Sequence, residues 1–167
     1  MEAVGIGVIG CGNISGTYLA AARLFPGIEV VAVADQNPDA AEARAREFGA
    51  RAVGVDALLA DPAVEIVLNL TIPAVHVAVS RQAVAAGKHV YSEKPLGVDF
   101  AEAAVLADEA AARGLRIGCA PDTFLGGAHQ AAREFLDAGH LGGAKDDANE
   151  VMAEAWAFAL SKMDPVP

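Results

Sequence analysis

Short aliphatic runs separated by helical patterns recur along this chain. Val4–Ile9, Glu29–Ala34, Ile66–Asn69, His89–Ser92 and Arg116–Cys119 read as strands, with Arg51–Val53 as a shorter sixth. Their near-continuous apolarity is that of strands covered on both faces. Between them, Ile14–Leu24, Pro38–Phe48, Val55–Leu59, Ala74–Ala86, Phe100–Ala112 and Leu125–Ala138 carry helical spacing. Pro38 suits a first helical turn, and Gly49, Gly87, Gly114 and Gly139 stand where helices should stop. Alternation of this kind predicts βαβ units, right-handed crossovers and an α/β doubly wound parallel sheet of about six strands, helices on both faces. Further on, Met152, Trp156, Ala159, Leu160 and Met163 recur at helical spacing between Asp146-Asp147 and Pro165. They predict a C-terminal amphipathic helix, whose stripe is expected to pack on this chain or on another copy in a homo-oligomer.

The first strand runs into Gly10-Cys11-Gly12-Asn13-Ile14-Ser15-Gly16, and a helical segment follows. A strand, a tight glycine turn and a helix N-terminus form the cradle that receives a pyrophosphate, because the first helical amides and the helix dipole face the anion. Gly10 permits the turn, and Gly12 keeps no side chain between backbone and phosphate. The fingerprint G-x-G-x-x-G/A expects a third small residue at position 15, where Ser15 stands. The second predicted strand ends at Asp35, 20 positions after Ser15, where an acid accepts hydrogen bonds from the adenosine ribose hydroxyls. Both halves together predict a Rossmann-type dinucleotide-binding domain. Asp35 repels a 2′-phosphate, and Gln36 and Asn37 bring no positive charge to offset it, so NAD is expected ahead of NADP.

The remaining bulk properties mostly exclude. A length of 167 residues suits one ordinary domain, and 54% apolar residues suffice for its core. A net charge of −10 with no basic stripe argues against nucleic acid as a partner. No run approaches the roughly 18 apolar residues of a membrane span. The acidic Glu2 followed at once by a strand is not a signal-peptide pattern. Cys11 and Cys119 have no partners at metal-ligand spacing and read as reduced thiols of a cytoplasmic protein; no metal site is expected.

Residues 70–97 carry a more specific pattern. They read Leu-Thr-Ile-Pro-Ala-Val-His, and later Ala-Ala-Gly-Lys-His-Val-Tyr-Ser-Glu-Lys-Pro-Leu-Gly. In this order they resemble the glucose–fructose oxidoreductase / inositol dehydrogenase family, Gfo/Idh/MocA, over about residues 3–143. The resemblance implies a Rossmann domain at 1–143 and a divergent tail at 144–167. It implies oxidation or reduction of a carbinol on a sugar or cyclitol with a nicotinamide cofactor. It places Gly10, Gly12, Asn13 and Ile14 on the pyrophosphate and Asp35 on the adenosine ribose. Thr71, Ile72, Pro73 and His76 would border the cofactor. Glu93 and Lys94 would reach the nicotinamide ribose and the reacting carbon, Lys94 as catalytic residue.

Hydride transfer from an alcohol requires the hydroxyl proton to leave and the developing oxyanion to be stabilised, and a lysine can serve both ends. The resemblance also implies a second, larger α+β domain that supplies most of the substrate pocket. The 24 residues after Gly143 do not resemble its opening strands. The expectation is therefore the cofactor half of an NAD-dependent sugar or cyclitol dehydrogenase, weakly active or inactive alone. The competing expectation is an NAD(H)-binding module or truncated fragment without turnover.

Overall fold

The computed structural model describes residues 3–120 and 127–138. The chain divides into two compact units, Met1–Pro121 and Asp122–Pro167. The first contains β1 (Val4–Ile9), α1 (Ser15–Ala22), β2 (Ile28–Ala34), α2 (Pro38–Phe48), β3 (Arg51–Ala52), α3 (Val55–Ala60), β4 (Ile66–Asn69), α4 (His76–Ala85), β5 (His89–Ser92), α5 (Phe100–Ala112) and β6 (Ile117–Cys119). In the second, the described residues form α6 (Gly127–Asp137), braced by an Arg133–Asp137 ion pair at 2.9 Å. The expected boundary at residue 143 and the amphipathic helix at 151–163 lie outside the described residues. No described helix is long and apolar enough to cross a membrane.

All strand pairs are parallel, in the order β3-β2-β1-β4-β5-β6. This is the doubly wound order, in which the chain reverses direction across the sheet between β1 and β4. One face buries Ile6, Val8 and Val33 with Leu19 of α1 and Ala41 and Ala45 of α2. The other buries Val67 and Val90 with Leu58 of α3, Val84 of α4, and Leu106 and Ala110 of α5. The central strands β1, β2 and β4 thus meet helices above and below, which is why they carry so few polar residues.

Local chemistry sets the helix ends. Asn37 caps α2 by accepting the Asp39 N–H at 3.1 Å, with Pro38 at the first position. Gly49, at φ +73°, closes the other end by donating its N–H to the Ala45 carbonyl at 2.8 Å. Two predicted helices are corrected at their ends. α1 is shorter than Ile14–Leu24, because Arg23–Phe25 turn ahead of Pro26. The predicted Ala74–Ala86 helix opens as a 3-10 turn at Pro73–Val75, and α-geometry begins only at His76.

Candidate functional site

Strand register assembles the site. Ile9 pairs with Ala34 on one side and with Asn69 on the other, and Asn69 pairs with Ser92. The next residue of each strand therefore stands in one row: Gly10, Asp35, Leu70 and Glu93. Ladder hydrogen bonds hold the row, from Gly10 N to Ala34 O (2.9 Å), Leu70 N to Ile9 O (2.8 Å) and Glu93 N to Asn69 O (2.9 Å). The carboxyl edge at a reversal of strand order is where α/β sheets bind ligands.

The two glycines of the bend do different things. Gly10 sits at φ +103°, and a Cβ there would come within 2.6 Å of the Leu70 carbonyl. It lets the chain turn against the neighbouring strand. A Cβ on Gly12 would meet nothing within 4 Å. That open space at the start of α1, beside exposed Asn13 and Ile14, is a cradle of the kind a diphosphate needs.

Asp35 is locked to this bend. Its Oδ2 accepts the Cys11 N–H at 2.7 Å and its Oδ1 accepts the Asn37 N–H at 2.8 Å. Each carboxylate oxygen keeps a free lone pair, enough to accept from two vicinal hydroxyls. Beside it, a cavity of about 260 Å³ opens between α2 and the β3–α3 turn, lined by Pro38, Ala41, Glu42, Ala52, Val53 and Gly54. Burial pushes the Cys11 thiol up to about 11; the Asp35 carboxylate adds to this and the Arg44 guanidinium opposes it.

The loop after β4 rests on a buried polar network. Asn69 donates from Nδ2 to the His76 carbonyl and to Ser80 Oγ, each at 3.0 Å. Its Oδ1 accepts the Thr71 hydroxyl at 2.6 Å and the Thr71 N–H at 3.2 Å. Ile72 and Pro73 project into solvent beyond it. His76 takes a different place from the expected cofactor border. It is 0% exposed, with Nδ1 2.6 Å from the Pro95 carbonyl and Nε2 2.9 Å from the Thr71 carbonyl. Its ring straps two loops together and presents no surface of its own.

Glu93 and Lys94 leave the end of β5 on the same side. Glu93 Oε1 accepts the Tyr18 hydroxyl at 2.6 Å, and Oε2 accepts the Lys94 N–H at 3.0 Å. Lys94 is exposed and precedes a cis peptide to Pro95. The Cys119 thiol, raised first by burial and opposed by the Ala120 N–H, points at the Glu93 carbonyl from 3.7 Å. The structure thus brings Gly10, Gly12, Asn13, Ile14, Asp35, Thr71, Ile72, Pro73, Glu93 and Lys94 to one edge.

Several contributors escape a reading of the sequence. Tyr18, Asn69, Ser80 and Arg44 act across 75, 11 or 32 positions of chain, and no local pattern marks them. Lys88 and His89, inside the Ala-Gly-Lys-His-Val motif, serve the opposite edge of the sheet. Lys88 is buried and donates to the Asp61 carbonyl at 2.8 Å, and His89 Nδ1 accepts the Arg116 N–H at 3.0 Å.

Several known proteins are similar to this chain. A dTDP-3,4-didehydro-2,6-dideoxy-alpha-D-glucose 3-reductase of Streptomyces violaceoruber is 38% identical over 85% of this chain and 42% of its own. A solved 3-ketoreductase from Actinomadura kijaniata, in complex with NADP and TDP-benzene, superposes with a TM-score of 0.77 at 34% identity, over 83% of this chain and 43% of its own. GenD2 from gentamicin A biosynthesis, in complex with NAD, gives 0.69 at 32% identity, over 71% of this chain and 34% of its own. The chain thus spans less than half the length of each. The profile of the oxidoreductase family with an NAD-binding Rossmann fold matches residues 4–120. With that match joined to the bend, the acid and the strand order, the chain belongs to the Gfo/Idh/MocA oxidoreductase family.

Proposed function

We propose that this chain binds a nicotinamide dinucleotide, NAD ahead of NADP, and that the protein it serves oxidises or reduces a carbinol on a sugar or cyclitol. The observation that carries the reading is Asp35, whose carboxylate is tied to the Cys11 amide of the glycine bend. This fixes the distance between a ribose-clasping acid and a phosphate cradle. The open space at Gly12 supports a fit for the diphosphate, and the apolar part of the cavity beside Asp35 suits an adenine ring. Glu42 on the cavity wall is a second carboxylate unfavourable to a 2′-phosphate.

When bound, the nicotinamide supplies hydride transfer. The chain's own part is binding, orientation and proton handling. Backbone N–H groups at the start of α1 hold the diphosphate, and Asp35 fixes the ribose. The Thr71–Pro73 loop and the Glu93–Lys94 corner border the far end. Lys94 Nζ stabilises the substrate oxyanion and takes or returns the hydroxyl proton, while Glu93 fixes the Lys94 backbone through its N–H.

The test is a calorimetric titration of the full chain with NADH and NADPH, repeated for Asp35→Ala. NADH is expected to bind more tightly than NADPH, with the substitution weakening NADH by roughly tenfold or more, about 1.4 kcal/mol, and NADPH less. No saturable binding of either would refute the reading. Equal losses for both would remove Asp35 from its ribose role.

A further inference from the structure

Arg44 is the unexplained charge at this site. It lies nine positions beyond Asp35, on α2, yet its side chain reaches the glycine bend. Nε donates to Ser15 Oγ at 3.0 Å and Nη2 donates to the Gly12 carbonyl at 3.3 Å. Ser15 is fully buried and donates its own hydroxyl to the same carbonyl at 2.6 Å. The third position of the fingerprint therefore holds a serine that has work to do. Its oxygen joins the guanidinium to the bend, which a glycine at that position could not do. Gly16 keeps room for this, because a Cβ there would already touch Nη1 at 3.4 Å.

We infer that Arg44 is a positioning residue for the nucleotide's diphosphate, supplying from behind the bend a fixed positive charge that Glu47 tempers. The inference rests on the dinucleotide reading above. The electrostatic need is plain. A diphosphate must approach a bend that already carries the Asp35 carboxylate, on a chain with net charge −10. The Arg44 side chain is only 24% exposed, so its charge is less screened than that of a solvated arginine. The charge reaches the bend itself, where Nη2 lies 3.3 Å from the Gly12 carbonyl oxygen. Glu47, 54% exposed, takes Nη1 at 2.6 Å and withdraws part of that field.

A purely mechanical brace would hold α2 to the bend without regard to the charge of the ligand. The experiment uses ADP and adenosine as probes, titrated calorimetrically into the full chain at low and high salt. Arg44→Met is expected to weaken ADP roughly tenfold at low salt, the equivalent of about 1.4 kcal/mol, with adenosine changed less than about twofold and the ADP deficit shrinking at high salt. Glu47→Gln is expected to tighten ADP by about two- to fivefold, a gain that bracing alone does not produce. Arg44→Lys, which keeps the charge but not the fork, should fall between wild type and Arg44→Met, and it carries the test with Glu47→Gln should Arg44→Met unfold. Equal losses of ADP and adenosine, or no tightening with Glu47→Gln, would overturn the inference. Wild type binding ADP and NADH with Arg44→Met unchanged would overturn it alone. Wild type binding neither would overturn the dinucleotide reading and this inference together.

Discussion

Gly10 and Gly12 stand two residues apart, and the structure gives them opposite roles. Gly10→Ala forces an L-residue to φ +103° and drives its Cβ to 2.6 Å from the Leu70 carbonyl carbon and oxygen and 2.8 Å from the Thr71 nitrogen. The backbone conformation costs about 1–2 kcal/mol. The overlap with backbone atoms, which cannot swing aside as a side chain would, adds about 1–3 kcal/mol. A central value near 3 kcal/mol, at about 2–4 °C per kcal/mol for a chain of this size, gives a melting temperature lower by roughly 6–12 °C. Gly12→Ala adds its methyl to open space, and its φ lies outside the left-handed region. Folding should be unharmed or gain up to about 1 kcal/mol through the less flexible unfolded chain. Binding should suffer instead, because the methyl occupies the phosphate cradle, and NADH affinity should fall by at least about tenfold, or about 1.4 kcal/mol. Thermal melts by circular dichroism and NADH calorimetry on both variants separate the two effects. The reasoning is refuted by a Gly12→Ala chain that melts several degrees low, or that binds NADH as wild type does.

Three further outcomes follow from the same geometry. Removing the Tyr18 hydroxyl with Tyr18→Phe should cost about 1 kcal/mol, and a double-mutant cycle with Glu93→Ala, which removes the acceptor, should return a coupling of similar size; a coupling near zero would show that the 2.6 Å contact contributes nothing. His76→Leu removes the ring nitrogens that lie 2.6 Å from the Pro95 carbonyl and 2.9 Å from the Thr71 carbonyl, so a buried carbonyl loses the ring N–H that the tautomer gives it, and urea unfolding should show a loss of about 1–3 kcal/mol; a loss under about 0.5 kcal/mol would remove His76 from its strapping role. The Cys11 thiol is raised from 9.0 to about 11, so the fold favours its protonated form. That contribution is complete below pH 9 and disappears as pH rises through 11. Wild type should therefore lose more urea stability than Cys11→Ala between these limits, and parallel curves would contradict the raised value.

Element identity was legible because it is written in local chemistry. The strands Val4–Ile9, Ile66–Asn69 and His89–Ser92 and the helices Pro38–Phe48 and Phe100–Ala112 follow apolar runs, caps and stops that act within a few residues. The glycine bend and Asp35 were legible for the same reason, since a fixed spacing carries their geometry. What the spacing left open, tertiary packing decided. Asp35 bonds an amide 24 positions away, Arg44 a carbonyl 32 positions away, and Tyr18 a carboxylate 75 positions away. No periodicity encodes such pairs; they exist because parallel register brings the strand ends into one row and packing sets α1 and α2, with Tyr18 and Arg44, beside it. His76 and Lys88 show the converse. Polar residues within motif-bearing segments suggest a ligand, but burial on two carbonyls for one and on the Asp61 carbonyl for the other commits them to holding loops in place. Gly5, inside a buried strand, is required by its neighbour, because the Ala63 carbonyl oxygen stands where its Cβ would be. Sequence thus determined which segments fold and what chemistry they carry, through interactions of short range. Which side chains meet was decided by contacts that form only once the sheet has closed.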